Sequence, residues 1–145
     1  MHPLAKMIRM HNYRLRGPYD MQLIFVEDDA VIRDVAVEYL QEHGYTVIEA
    51  ATAEDAMQCL AGGPVPLLAV TDIDLGAGRS GLEFADWLHE RWPELNVIFA
   101  SGRLDRLNGR VPDRRETCLA KPFRLSLLVR HVRRFVPSPA MVLGS

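Results

Sequence analysis

Leu67-Leu68-Ala69-Val70-Thr71-Asp72 is an apolar run that ends abruptly on a carboxylate. A strand without polar alternation is covered on both faces, which is the situation of a central strand in a parallel sheet flanked by helices. Outward from this run the chain alternates between β-rich segments and helical patterns, and that alternation marks an α/β domain. The other strand candidates are Gln22–Val26, Tyr45–Ala50, Asn96–Ala100 and Thr117–Ala120. After Glu27-Asp28-Asp29 the spacing of Ile32, Val35, Ala36, Tyr39 and Leu40 predicts a helix with those residues inward and a stop at Gly44. Thr52 is placed to cap the next helix, with Asp55 three residues on and Ala56, Cys59 and Leu60 facing the core. A third helix runs from about Leu82 to Trp92, where Pro93 stops it. The arginine-rich stretch 103–115 has poor periodicity and predicts a short or irregular helix. The last helix carries the stripe Leu125, Leu128, Val129, Val132 and Phe135.

The 145 residues are 48% hydrophobic and 25% charged, which suits one globular domain with a true core. We assign residues 21–136 to that domain, 1–20 to a loose basic extension or a mis-assigned start, and 137–145 to a tail. No apolar stretch is long enough to span a bilayer, and no signal segment opens the chain, so a cytoplasmic protein is expected. Cys59 and Cys118 lack metal-ligand spacing and read as reduced, partly buried thiols. The net charge of −2 hides a division: residues 21–102 carry −12 and residues 103–134 carry +7.

Ligands of open parallel sheets collect beyond the carboxyl ends of the strands, where strand order reverses. The polar residues of this chain gather at that edge. Glu27, Asp28 and Asp29 follow the first strand, Asp72 ends the third, Ser101 the fourth and Lys121 the fifth. Singly, each has an ordinary explanation: Asp29 caps a helix, Ser101 satisfies a turn, Lys121 is solvated. Together, carboxylates converging from two strands repel one another unless a cation sits among them, and oxygen ligands in a wet cleft suit Mg2+. A hydroxyl and an ammonium beside that cation then suit an anion such as a phosphoryl group.

Leu23-Ile24-Phe25-Val26-Glu27-Asp28-Asp29, Val70-Thr71-Asp72-Ile73-Asp74, Ser101-Gly102 and Lys121-Pro122-Phe123, in this order, resemble the receiver domain of two-component response regulators. The resemblance covers about residues 21–136. It implies a flavodoxin-like, doubly wound three-layer fold around a five-stranded parallel sheet of order 2-1-3-4-5. It further implies a bacterial signalling module, not a conventional enzyme, in which Asp72 takes a phosphoryl group from the phosphohistidine of a sensor histidine kinase or phosphotransfer protein. Asp28 and Asp72 would ligate Mg2+ directly, Glu27 through water, and Asp74 through its backbone carbonyl. Ser101 and Lys121 would stabilise the transferred oxygens, with a cis bond before Pro122 aiming the lysine inward. With no output module recognised after residue 136, the signal would pass to a separate output protein or along a phosphorelay. Pairing of two copies through the arginine-rich fourth and fifth segments is left open.

Several positions depart from the family pattern. Cys118 stands where the family usually has an aromatic switch residue, and it reads as a small buried strand residue. The loop after Asp72 has Gly76 in place of a common proline and is one residue longer, which predicts a looser loop. Asp74 and Arg103 flank the phosphate positions, and we expect them to pair over the site. Two other functions compete. Asp72-Ile73-Asp74 also reads as the nucleophile and acid of a haloacid-dehalogenase-like phosphatase, but that reading leaves the Glu27-Asp28 pair without a role. The arginines of 103–134 could form a nucleic-acid surface, but 103–115 lacks interleaved aromatics and no DNA-binding module follows, so no direct nucleic-acid or membrane partner is expected.

Overall fold

The computed structural model describes residues 23–63, 65–107 and 109–137. In chain order they form β1 (Leu23–Val26), α1 (Ala30–Glu42), β2 (Val47–Ala50), α2 (Ala53–Ala61), β3 (Leu68–Thr71), α3 (Gly81–Arg91), β4 (Asn96–Ser101), a single 3-10 turn (Leu104–Leu107), β5 (Glu116–Ala120) and α4 (Leu125–Phe135). The five strands are all parallel, in the order β2-β1-β3-β4-β5. The doubly wound architecture and strand order expected from the resemblance are therefore present. The 1–20 extension, and the tail beyond Pro137, lie outside the described residues.

Alternate strand residues feed two cores. Ile24, Val26, Ala69, Val97 and Phe99 pack with Phe84 and Leu88 of α3 and with Ala56 and Leu60 of α2. Leu23, Phe25, Leu68, Val70 and Ile98 pack on the other face with Val37 and Leu40 of α1 and with Leu128 and Val132 of α4. Ala69 and Val70, adjacent in β3 and both essentially inaccessible, belong to opposite cores, which is why the third run is apolar throughout: each of its faces meets a helix layer. No helix among the described residues is long and apolar enough to cross a membrane.

Helix α1 turns differently from its sequence reading. Ile32 and Val35 were expected inward, but they are 38% and 48% exposed, while Val37 is fully buried. Apolar residues surround most of this helix, so periodicity alone does not fix its phase, and the packing of Ala36, Val37 and Leu40 on the sheet decides it. The second strand is shorter than expected. Tyr45 is buried ahead of it and donates its hydroxyl proton to the Val136 carbonyl at 2.6 Å. Leu67 lies outside β3 and is exposed. Asp29 caps α1 by accepting from Val31 and Ile32, Thr52 caps α2 by accepting from Asp55, and Ser80 and Glu83 form a reciprocal capping box that opens α3.

Both cysteines are free thiols, Cys59 buried and Cys118 half-buried on β5. Burial pushes the Cys59 thiol up to about 11. Thiolate is the reactive species, so at neutral pH iodoacetamide should label Cys118 in the native protein and Cys59 only on unfolding. Peptide mass mapping after a short pulse checks this order, and early label on Cys59 would contradict it.

Candidate functional site

The crevice lies where β1 and β3 meet and the chain order reverses, at the carboxyl ends of the strands. Register sets its floor. Val26 pairs with Thr71, and the Asp72 N–H donates to the Val26 carbonyl at 3.1 Å, so the residues following each strand emerge side by side. Glu27, Asp28 and Asp72 each bring a carboxylate oxygen within 4.8 Å of the others. Asp28 is exposed, while Glu27 and Asp72 are buried to 2% and 9% exposure.

Lys121 enters from the end of β5, ahead of a cis bond to Pro122. Its ammonium donates to Asp72 Oδ2 at 2.9 Å and also to Glu27 Oε1. The lysine thus acts as an internal counter-ion for two converging carboxylates. Burial alone would depress its pKa, but the hydrogen bonds to Glu27 and Asp72 outweigh that effect and hold it above its usual value. Glu27 is raised, chiefly because burial strips water from its charged form, and the Lys121 contact offsets only part of that. Ser101 is buried at the end of β4, and its Oγ accepts from the Arg103 N–H at 3.0 Å. The Asp74 N–H donates to Asp72 Oδ1 at 3.1 Å while the Asp74 side chain is exposed.

One expectation about the rim changes. Arg103 was expected to close over the site on Asp74; instead its guanidinium donates twice to Asp105, at 3.1 and 3.0 Å. A partner two residues away costs less chain entropy to reach than one on another loop, and both groups remain in water. In the glycine-rich loop after Asp72, Glu54 at the start of α2 accepts from the Arg79 N–H at 3.0 Å. A Cβ on Gly78 would sit 2.8 Å from Glu54 Oε1, so the glycine permits that close approach.

The sequence reading gave no role to Gly81, at the first position of α3, although the geometry makes it critical. A Cβ there would lie 1.9 Å from the Asp72 carbonyl oxygen and 2.8 Å from the Asp72 carbonyl carbon. The absence of a side chain lets the N-terminus of α3 seat against the strand end, where the Gly81 N–H donates to the Ile73 carbonyl at 2.8 Å. Gly81→Ala should therefore destabilise the domain by about 2 kcal/mol, because backbone on both sides has to move. Urea unfolding checks this, and an unchanged midpoint would contradict the close approach.

The arginines of 103–115 are mostly engaged within the chain. Arg110 bridges Asp86 and Glu116, Arg114 pairs with Glu94 and Arg115 with Asp113. That arrangement leaves less free positive charge on this face than the sequence suggests. Beside Lys121, an open groove is lined by Val31, Ile32, Val35, Pro122, Phe123 and Leu125.

A family model described as the response regulator receiver domain matches residues 23–133. The transcriptional regulatory protein AruR of Pseudomonas aeruginosa is 39% identical over 92 residues, which cover 60% of this chain and 36% of that protein. The regulatory protein VanR of Enterococcus faecium is 27% identical over 114 residues, covering 77% of this chain and 48% of its own. The chain spans about half, or less, of the length of these curated relatives. Among solved structures, the response regulator protein TrrA from Thermotoga maritima, crystallised in complex with Mg2+-BeF, matches with a TM-score of 0.71 at 24% identity. The match covers 80% of this chain and 99% of that one. At that identity the likeness is one of fold.

Proposed function

The chain belongs to the response regulator receiver family of two-component signalling, and from that premise we propose that Asp72 is its phosphoacceptor and that the carboxylate crevice holds Mg2+. The observation that carries this reading is the convergence of Glu27, Asp28 and Asp72 within 4.8 Å, with the Lys121 ammonium on two of them. Three hard oxygen donors from two neighbouring strand ends fit a small divalent cation that keeps part of its water shell. Asp28 and Asp72 would be direct ligands, Glu27 would act through water, and the Asp74 carbonyl would complete the set. When bound, the ion would supply charge neutralisation for the carboxylate and the incoming phosphoryl oxygens.

The chain's own groups do the rest. The Asp74 N–H holds Asp72 Oδ1 in place, leaving Oδ2 on the side of Lys121. In this reading an Asp72 oxygen forms the new O–P bond as the N–P bond of a phosphohistidine breaks. The electron pair of that bond leaves with the imidazole. Lys121 and the Ser101 hydroxyl would then donate to the transferred oxygens. Ser101 Oγ accepts from the Arg103 N–H, which leaves the hydroxyl proton available for a phosphoryl oxygen and couples that oxygen to the backbone of the loop after β4.

The donor, a sensor histidine kinase or phosphotransfer protein, would approach across the apolar groove that Lys121 shares with α1, since exposed Val31, Ile32 and Val35 are costly to leave in water. On the far side, a separate output protein would read the loop after β4. The phosphatase alternative gains no support, because Asp74 meets Asp72 through its backbone N–H and its side chain is exposed. The test is incubation with Mg2+ and a small phosphodonor such as acetyl phosphate, followed by intact mass. One phosphoryl group per chain, absent when EDTA is added, supports the receiver reading. Continuous release of phosphate from ester substrates without a lasting adduct would overturn it.

A further inference from the structure

Past the end of the sheet ladder, one backbone carbonyl of the crevice is held by a side chain. The Glu27 N–H still belongs to the sheet, donating to the Ala50 carbonyl at 3.0 Å, and the Val26 carbonyl accepts from Asp72. The next group along, the Glu27 carbonyl, accepts from Arg33 Nη1 at 2.7 Å. Arg33 rises from the first turn of α1, and its Nε faces Glu49 Oε1 of β2 at 3.4 Å. Glu49 is buried to 8% exposure and pairs in register with Phe25 of β1, two residues before Glu27. The guanidinium therefore spans from a buried carboxylate on the neighbouring strand to the peptide between Glu27 and Asp28.

That peptide carries the exposed carboxylate of the crevice. Glu27 is fixed on its other side, because its Oε2 accepts from the Asp29 N–H at 3.2 Å and its Oε1 accepts from Lys121. Asp28 has an exposed side chain, so the direction of its Cα–Cβ bond depends on the orientation of the preceding peptide plane. A forked guanidinium is well suited to fix such a plane, because it can hold two acceptors at a set separation.

We propose that Arg33, locked by Glu49, is a positioning residue for the cation site: it orients the Glu27–Asp28 peptide and thereby presents Asp28 to Mg2+. The inference rests on the Mg2+ reading of the crevice given above. It predicts a sign that other roles do not share. Removing a positive charge near an acidic crevice should, by electrostatics alone, tighten Mg2+ binding, and a purely structural ion pair should leave Mg2+ affinity of the folded protein unchanged. A positioning role predicts weaker binding.

The experiment is Mg2+ titration of the full chain by calorimetry, with folding checked by circular dichroism. Arg33→Ala should weaken Mg2+ binding about tenfold, the scale on which groups that orient metal ligands act. Arg33→Lys, whose single ammonium cannot hold both acceptors, should fall between, and Glu49→Gln should weaken binding by less than Arg33→Ala. Phosphoryl uptake from acetyl phosphate should recover in all three at saturating Mg2+. If Arg33→Ala does not fold, the comparison rests on Arg33→Lys and Glu49→Gln. Unchanged or tighter Mg2+ binding in the folded variants overturns the positioning role while the phosphoacceptor reading stands. A wild-type chain that binds no Mg2+ removes both.

Discussion

Asp72→Asn should abolish covalent phosphoryl uptake while leaving the domain folded. An amide oxygen can accept the Asp74 N–H as the carboxylate does at 3.1 Å, so the local turn survives. The amide has no anionic oxygen to form the O–P bond, and its loss of charge also takes one donor from the cation site. Intact mass after incubation with Mg2+ and acetyl phosphate should show no adduct in the variant and one in the wild type. An adduct of equal yield in Asp72→Asn would place the acceptor elsewhere and end the assignment. The thermal midpoint should change little, since the substitution weakens a hydrogen bond to Lys121 but also relieves repulsion between Asp72 and Glu27.

The second large effect belongs to Lys121. Lys121→Met preserves length and apolar stem but removes the ammonium that contacts both Glu27 and Asp72. If Lys121 stabilises the transferred oxygens, phosphoryl uptake at saturating Mg2+ should slow roughly a hundredfold or more, the range seen when one donor to a developing anion is lost. Stability should respond with a definite dependence on pH. In the wild type the folded-state pKa of Lys121 is raised, so its contribution is complete below the usual 10.5 and is lost as pH rises through the folded value. The variant lacks that alkaline loss. Its own deficit comes from carboxylates left without their counter-ion. Glu27 is already raised by burial, and without the lysine it should rise further, so the variant recovers stability as pH falls and Glu27 takes up a proton in the folded state. Mg2+ should raise the thermal midpoint more in Lys121→Met than in the wild type, because the cation then meets the carboxylates without a competing ammonium. Melting curves across pH, with and without Mg2+, check both signs. Equal uptake rates would show that the lysine is only a structural counter-ion.

How much of this was legible in the sequence differs from residue to residue. Asp72 and Lys121 could be placed at the crevice because each directly follows an apolar strand run, and in a parallel sheet all strand ends of one kind lie on one edge. The caps at Asp29 and Thr52 were readable for a similar reason, since each satisfies N–H groups two or three residues away. The phase of α1 was not readable. Val31, Ile32 and Val35 are as apolar as Val37, and only contact with Leu23, Phe25 and α4 selects which side is buried. Arg103 was assigned the wrong partner because position in a family pattern says nothing about Asp105, which sits closer along the chain.

Local patterning along the chain was enough to read the layered α/β class, the order of elements and the edge on which the charged groups gather. These depend on local periodicity and on what residue follows each strand, both properties of short windows. Which groups touch became readable only once the helices were packed on the sheet. Arg33 meets Glu49 across 16 residues, Glu54 meets Arg79 across 25, and Lys121 meets Glu27 across 94. Gly81 became indispensable only when α3 came to rest on the Asp72 carbonyl. Such contacts leave no spacing signal, because they arise from the packing of helices on a twisted sheet and not from any regularity along the chain.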